Sequence, residues 1–246
     1  MRDFFHRFGA SDAACDPFSP VCMISLALIA LLVSLVATLW VRRLFRRQAC
    51  RYAADAPQRF HFGDTPRMGG LGMLAGWALA LAALPLLQWA RMAGNIDSAR
   101  LNLAMWLLML LPAFAGGVAE DRTQRLPVRW RMLLTLTSGL LAWTLLGASV
   151  PQLGFDWIDL HWRARPWLGI ALAVLAVTGL PHAFNIIDGY NGLAGAVALV
   201  VCLALAHVAL QVGDRELAAM AFALAAATAG FLVWNYPRGL IFAGDA

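Results

Sequence analysis

The segment FNIIDGYNGLAG, residues 184–195, combines one carboxylate and two carboxamides with interspersed glycines. Asp188 follows Asn185 and precedes Asn191, in each case at a spacing of three residues. Carboxylate and carboxamide oxygens are hard ligands that suit Mg²⁺, and glycine lets a backbone approach phosphate closely. The segment therefore predicts a polar site for a divalent ion and phosphate groups.

Further acidic residues lie where other apolar stretches end. Glu120 and Asp121 follow the apolar stretch 101–118, and Asp245 lies in the final segment IFAGDA, residues 241–246. Ionisable groups at a membrane boundary are costly to bury and are functional by default. A salt bridge with loop arginines is the alternative role for the Glu120–Asp121 pair, and it stays open on the sequence alone.

The segment TPRMGG, residues 65–70, adds an arginine and two glycines where another apolar stretch begins. Arg67 can bind phosphate through two parallel hydrogen bonds. Gly69 and Gly70 fit either a phosphate contact or a turn with a close helix contact. Together these residues fit phosphoryl transfer from a soluble nucleotide substrate to a membrane acceptor, in which the protein mainly positions groups and neutralises charge.

Composition places these residues in an integral membrane protein. Of the 246 residues, 61% are hydrophobic and 13% are charged, with a mean hydropathy of +0.68, whereas soluble domains carry about 25% charged residues. All 19 basic residues are arginines, and the net charge is +5. Because the arginines cluster at the ends of apolar stretches, they indicate membrane topology, and no nucleic-acid partner is expected.

Seven apolar stretches are long enough, or nearly so, to cross a bilayer as helices. About 20 residues, at about 1.5 Å each, span a hydrocarbon core of about 30 Å. The sequence therefore predicts an all-α polytopic membrane bundle with about seven transmembrane helices and no cleaved signal peptide. The stretches are 21–41, 68–90, 101–118, 132–149, 167–184, 193–212 and 217–234.

The distribution of arginines predicts which side is cytoplasmic. Twelve arginines, in segments 42–67 and 119–131 and at Arg238, fall on one side, against seven on the other. The positive-inside rule makes the richer side cytoplasmic and places the N-terminus outside. The polar clusters follow the first, third, fifth and seventh stretches, so we expect all four at the cytoplasmic face.

Four motifs, in order, resemble those of the polyprenyl-phosphate N-acetylhexosamine-1-phosphate transferases, glycosyltransferase family 4. TPRMGG is similar to the family's proline–glycine signature, and AEDRTQRLPVRWRML, residues 119–133, is similar to its acidic-pair loop. FNIIDGYNGLAG resembles the asparagine–aspartate–glycine signature, and IFAGDA resembles the start of the last acidic motif. The resemblance extends from about Asp64 to Ala246 and implies a membrane-embedded helical transferase.

The resemblance implies a reaction and its participants. A UDP-N-acetylhexosamine would give its sugar 1-phosphate to undecaprenyl phosphate and release UMP, with Mg²⁺ as cofactor and Mn²⁺ as the alternative ion. Asp188 and Asp245 match positions that contact the metal and the diphosphate, and Glu120 and Asp121 match an acidic pair that acts near the lipid phosphate or metal. The residues of the matching segments that would bind substrate are Asn185, Asn191, Arg67, Gly69 and Gly70.

The resemblance also implies where the protein works and with what partners. It implies the bacterial inner membrane, an active site on the cytoplasmic face and contact with membrane lipids. Family members often form homodimers, although no residue pattern in this sequence marks an interface. They continue past the last motif with further helices and a histidine-containing loop, so residues 1–246 are expected to form a single transferase domain truncated at its C-terminus.

Two positions depart from the family pattern. The first acid of the pair is Glu120 instead of aspartate, and its longer side chain can still reach an ion. Asn191 stands where peptidoglycan-type and common-antigen-type members often carry a second aspartate. The chain therefore resembles more closely the branch that starts O-antigen or exopolysaccharide synthesis.

Two other classes of function stay open. Secondary transporters also use broken helices with polar residues, but their sites lie near mid-membrane and often in paired repeats, whereas these acids lie at one face and no repeat is evident. A non-catalytic membrane scaffold is the third class. The substitution Asp188→Asn separates them, because an enzyme loses turnover, a transporter loses ion-coupled uptake, and a scaffold keeps its assembly.

Overall fold

The computed structural model describes residues 19–49, 65–89 and 96–245. These residues form eight α-helices and contain no β-strand. The orientation prediction rests partly on segments 1–18 and 50–64, which lie outside the described residues, so it stays a prediction. The helices are α1 (Pro20–Ala49), α2 (Gly69–Trp89), α3 (Ile96–Thr123), α4 (Val128–Leu146), α5 (Asp156–Arg163), α6 (Pro166–Ile187), α7 (Leu193–Gln211) and α8 (Arg215–Asn235).

The seven predicted stretches coincide with α1 to α4 and α6 to α8, which confirms the all-α polytopic fold. Within the described residues, α1, α3, α6, α7 and α8 are each long and apolar enough to cross a membrane. Residues Gly69–Leu84 of α2 form an apolar helical segment, and α4 has 19 residues that begin with VRWR. The count of about seven membrane crossings therefore stays a prediction.

Helix α3 continues past the apolar stretch that predicted it. Glu120 and Asp121, which were expected where the third apolar stretch ends, lie in the last turn of this helix. The helix continues because residues 119–123 include neither glycine nor proline. It ends at Thr123, after which Gln124 takes a left-handed conformation with a φ of 50°.

Helix α5 connects α4 to α6 and was not predicted. Its eight residues are amphipathic instead of uniformly apolar, so a search for membrane-spanning stretches passes over them. Asp159 is buried, and its carboxylate accepts hydrogen bonds from the Leu153 and Gly154 N–H groups at 2.7 and 3.0 Å. These two bonds hold the preceding connection against the helix.

Small residues let α2 and α8 pack closely against α1. A Cβ atom on Gly76 would lie 2.6 Å from the carbonyl oxygen of Ala30, so only glycine fits there without a shift. The buried hydroxyl of Ser34 donates to the carbonyl of Ala227 at 2.6 Å. Close backbone approach of this kind increases van der Waals contact between helices where lipid supplies no hydrophobic driving force.

The helices form two groups. Helices α1, α2, α7 and α8 pack together in the first group, α3, α4 and α6 form the second, and α2 packs against α3. One end of the bundle gathers the starts of α2, α4 and α7 and the ends of α3, α6 and α8. We call it the motif end, because every residue singled out for chemistry lies at one of these helix ends, in the segment before α2, in the loop between α6 and α7 or in the segment after α8.

Candidate active site

The segment that follows α8 pairs with the start of α2. The Phe242 N–H donates to the carbonyl of Pro66 at 2.9 Å, and the Gly69 and Gly70 N–H groups donate to the carbonyls of Phe242 and Ala243 at 2.8 Å each. The first N–H groups of a helix have no partner within the helix. The last motif therefore caps α2, which brings the TPRMGG and IFAGDA segments together.

Asp121 fixes the backbone of the same final segment. Its side chain is 4% exposed, and both carboxylate oxygens accept from the Asp245 N–H, at 2.9 and 3.0 Å. Gly244 has a φ of +80°, and a Cβ atom there would collide with the Arg67 carbonyl oxygen and the Asp121 carboxylate. Position 244 therefore requires glycine for two reasons: its backbone conformation is left-handed, and a side chain has no space between Arg67 and Asp121.

The carboxylate of Asp245 is held by the second helix group. Arg131, near the start of α4, forms an ion pair with Asp245 Oδ2 at 2.8 Å. Asn185, in the last turn of α6, donates from Nδ2 to Asp245 Oδ1. These contacts aim the carboxylate at the space between α4, α6 and α2.

Glu120 contacts the connection between α3 and α4. Its Oε2 accepts a hydrogen bond from the Leu126 N–H at 2.8 Å. The bond orders the short segment before Pro127, which precedes the first residue of α4. Glu120 therefore holds the connection that precedes α4, the helix that carries Arg131.

Two asparagines shape the loop between α6 and α7. Asn235 is 3% exposed, accepts from the Gly192 N–H at 2.6 Å and donates to the Ile241 carbonyl at 2.8 Å. Asn191 donates to the Pro237 carbonyl at 3.1 Å. The loop and the segment after α8 are thus joined by side-chain amides.

A cavity of ≈ 600 Å³ lies at the motif end between the two helix groups. Its polar lining comes from the segment before α2, from α4 and α6, from the loop after α6 and from the segment after α8, and apolar side chains line the rest. The polar residues lining it include Arg67, Arg131, Thr135, His182, Asn185, Asp188 and Asp245, and the apolar ones include Leu110, Phe114 and Phe231.

The structure divides the sequence-predicted residues into two sets. Four line the cavity, whereas the others lie around it and hold its frame through the contacts described above. The lining residues are Arg67, Asn185, Asp188 and Asp245. The surrounding residues are Glu120, Asp121, Asn191, Gly69 and Gly70.

Sequence reasoning missed several residues of the site. Arg131 was counted among the cytoplasmic arginines without being named as a site residue, His182 was given no role, and Asn235 belongs to the polar cluster after the seventh stretch, WNYP, which also received none. The available signal for Asn235 was a carboxamide at the end of an otherwise apolar helix. For Arg131 and His182 no local signal distinguishes a cavity residue from a surface one.

The oxygen atoms of the cavity fit a hard divalent ion. Asp188 and Asp245 contribute carboxylates to one cavity, and Asn185 adds a carboxamide oxygen. Across the described residues no group of three or more His, Cys, Asp or Glu side chains is gathered for metal binding. Mg²⁺ needs no such group, since it usually takes one or two carboxylates and completes its shell with water and substrate phosphates.

Comparisons with known proteins show the family of the chain. Residues 103–246, which include α4, α6 to α8 and the final motif, match the model of glycosyl transferase family 4. The chain is 30% identical over 236 residues to the phospho-N-acetylmuramoyl-pentapeptide-transferase of Moorella thermoacetica, covering 89% of this chain and 68% of that relative.

Two further relatives carry other names. The chain is 28% identical to a probable undecaprenyl-phosphate N-acetylglucosaminyl 1-phosphate transferase of Bacillus subtilis, over 88% of this chain and 58% of the relative. It is 30% identical to the decaprenyl-phosphate N-acetylglucosaminephosphotransferase of Mycolicibacterium smegmatis, over 95% of this chain and 59% of the relative. The chain thus spans roughly three fifths to two thirds of the length of these curated relatives.

Proposed function

Because the chain belongs to glycosyl transferase family 4, we propose that it transfers an N-acetylhexosamine 1-phosphate from a UDP-sugar to undecaprenyl phosphate and releases UMP. One observation carries the proposal: Asp188, Asp245, Asn185, Arg67 and Arg131 line one cavity at the motif end. Such an array of acids, amide and guanidinium groups suits a diphosphate with a divalent ion.

The reaction exchanges one phosphorus–oxygen bond for another. An oxygen of the lipid phosphate forms a bond to the β-phosphorus of the donor, while the bond from that phosphorus to the oxygen bridging to the α-phosphate breaks. UMP leaves with the bridging oxygen, and the product is a lipid diphosphate that carries the sugar. A phosphate monoester has a second pKa of about 6, so at pH 7 its oxygen is largely ionised and needs no strong base.

The chain's own residues would bind and orient the two substrates. Arg67 and Arg131 neutralise phosphate charge, and Asn185 keeps Asp245 oriented. Asp188 and Asp245 would hold Mg²⁺, which supplies charge neutralisation on the diphosphate when it is bound. Asp121 acts on the site through the Asp245 backbone.

The pathway proposal rests on one residue. Asn191 lies in the loop where peptidoglycan-type members often carry an aspartate, and here its amide donates to the Pro237 carbonyl. We therefore place the enzyme in the branch that initiates O-antigen or exopolysaccharide synthesis, in the bacterial inner membrane with its motif end in the cytoplasm. The hexosamine of the donor, the Mg²⁺ requirement and a homodimeric assembly belong to the same proposal.

UMP release tests the proposal. Membranes that contain the protein are supplied with undecaprenyl phosphate, Mg²⁺ and, in separate reactions, UDP-N-acetylglucosamine, UDP-N-acetylgalactosamine and UDP-N-acetylmuramoyl-pentapeptide. We expect UMP release that depends on the lipid and on one of the first two donors. Release with the pentapeptide donor alone would overturn the pathway assignment, and release with none of them would overturn the transferase.

Asp188→Asn is the matched variant for this assay. It keeps the size of the side chain and removes its charge, so turnover is expected to fall by at least about 100-fold, while the protein keeps its thermal unfolding temperature. An Asp188→Asn protein that releases UMP at the wild-type rate would remove Asp188 from the site. Ion-coupled uptake in vesicles without UMP release would favour the transporter alternative.

A further inference from the structure

A second polar layer lies deeper in the cavity than the acidic one. Thr135 lies four residues beyond Arg131 on α4, and His182 lies three residues before Asn185 on α6. At about 1.5 Å per residue, both side chains start about one helical turn farther from the motif end. The two residues meet there, with His182 Nε2 lying 3.1 Å from Thr135 Oγ1.

Thr135 holds the His182 ring at its Nε2 atom. Its hydroxyl lies 3.1 and 3.0 Å from the carbonyl oxygens of Arg131 and Met132 in its own helix. A hydroxyl has one hydrogen, and when Thr135 donates it to His182 Nε2 the ring carries its own hydrogen on Nδ1. Nδ1–H is then a ring donor without a partner among the described residues.

The surroundings of this pair indicate what approaches it. The cavity that contains the pair also has apolar lining residues, among them Leu110, Phe114 and Pro181. A nucleotide sugar dissolved in water reaches the acidic layer first, whereas a lipid-borne phosphate arrives from the membrane side. A polar group one turn deeper, in apolar surroundings, therefore suits the headgroup of the lipid.

We infer that His182, held by Thr135, binds the phosphate of the polyprenyl acceptor and positions it below the acidic layer. The inference rests on the proposed function for the identity of the acceptor, and it assigns a role to a histidine that no local sequence pattern marks. His182 Nδ1–H donates the hydrogen bond to a phosphate oxygen, and the bond between Thr135 and Nε2 sets the ring orientation.

Direct binding of the lipid tests this inference without relying on turnover. Protein purified in detergent is titrated with undecaprenyl phosphate and, separately, with undecaprenol, which has the same chain and no phosphate. A hydrogen bond to a charged group contributes about tenfold or more in affinity. His182→Phe is expected to raise the Kd for undecaprenyl phosphate by about tenfold and to leave undecaprenol binding unchanged.

Two amide variants separate a phosphate contact from a purely structural link. The amide of asparagine occupies the place of Nδ1, whereas that of glutamine reaches the place of Nε2 and can still bond to Thr135. We expect His182→Asn to stay within about threefold of the wild-type Kd and His182→Gln to bind as weakly as His182→Phe. The reverse order would show that His182 only links α4 to α6 and would overturn the inference.

Two controls complete the test. His207, an exposed histidine on α7, is changed to Phe and is expected to leave both lipid affinities unchanged. In the UMP assay, His182→Phe should raise the KM for undecaprenyl phosphate and leave the KM for the UDP-sugar within about twofold. A raised donor KM with unchanged lipid affinity would overturn the inference and leave the proposed function intact. Absence of UMP release from a wild-type protein that binds the lipid would overturn the proposed function and leave the lipid-binding role of His182 intact.

Discussion

At the scale of single residues, Asn235 links the two segments that enclose the cavity. Its carbonyl oxygen accepts from the Gly192 N–H, and its amide donates to the Ile241 carbonyl, while the side chain is 3% exposed. Both bonded groups belong to backbone that reverses direction after a helix. One carboxamide therefore satisfies two buried backbone groups that no helix or strand can reach.

Asn235→Leu should cost stability without touching the polar lining. It leaves one buried donor and one buried acceptor unpaired, at about 1–3 kcal/mol each, so we expect the free energy of unfolding to fall by about 2–6 kcal/mol. Thermal unfolding in detergent measures the change. The control is Gln152→Met, because Gln152 bonds to Arg163 on the exposed surface, and a shift as large in the control would contradict this reading of Asn235.

At the scale of helices, the packing of α2 on α1 depends on the absence of side chains. A Cβ atom on Gly76 would lie 2.6 Å from the Ala30 carbonyl and 2.7 Å from Ser34 Cβ, whereas a Cβ atom on Gly179 in α6 would meet nothing within 4 Å. Gly76 thus lies where no side chain fits, whereas Gly179 lies where a methyl group has space. This contrast provides a matched pair of substitutions.

Gly76→Ala should destabilise the protein by about 1–3 kcal/mol, because the added methyl forces α1 and α2 apart. Gly179→Ala should be neutral or stabilise it by up to about 1 kcal/mol, since alanine favours the helix and has space. Thermal unfolding of both variants under identical detergent conditions makes the comparison. Equal effects of the two substitutions would contradict the close packing of α1 and α2.

The helices themselves were the most predictable part of the molecule. Long apolar stretches imply helices because, in a membrane, backbone groups must be satisfied within the segment. The prediction of helix positions and ends was incomplete where a helix contains polar residues. Helix α5 is short and amphipathic, and α3 runs on through Glu120 and Asp121 because no residue there stops it.

At the scale of the whole molecule, the site joins the two helix groups. The ion pair between Arg131 on α4 and Asp245 after α8 connects them at 2.8 Å, with side chains that are 23% and 18% exposed. Both partners are thus shielded from solvent more than surface pairs are, though they are not fully buried. The pair is expected to contribute to the docking of the two groups by about 1 kcal/mol.

A double-mutant cycle with Arg131→Gln and Asp245→Asn measures that contribution. We expect the two effects on the free energy of unfolding to be non-additive by about 1 kcal/mol at low salt, and the coupling to weaken as ionic strength rises. The cycle is performed without substrates or Mg²⁺, so that binding does not enter the result. Strict additivity at low salt would show that the two groups are held together by other contacts.

The sequence identified only part of the candidate site, because several of its contacts join residues that are far apart in the sequence. Asp188 and Asn185 lie in one contiguous motif, so local spacing was sufficient to select them. The bond from the Asp245 N–H to Asp121 joins residues 124 positions apart, and no local pattern announces it. The same holds for Arg131 and His182, whose roles arise only when α4 and α6 are placed side by side.

The proposed reaction moves a sugar 1-phosphate, and not a sugar alone, to the lipid. The most direct measurement uses a UDP-N-acetylhexosamine labelled with ³²P at the β-phosphorus, followed by extraction of the lipid phase after reaction with undecaprenyl phosphate and Mg²⁺. We predict that the label enters the lipid phase in step with UMP release and that Asp188→Asn abolishes both. Sugar in the lipid phase with the label left in water as UDP would contradict the account.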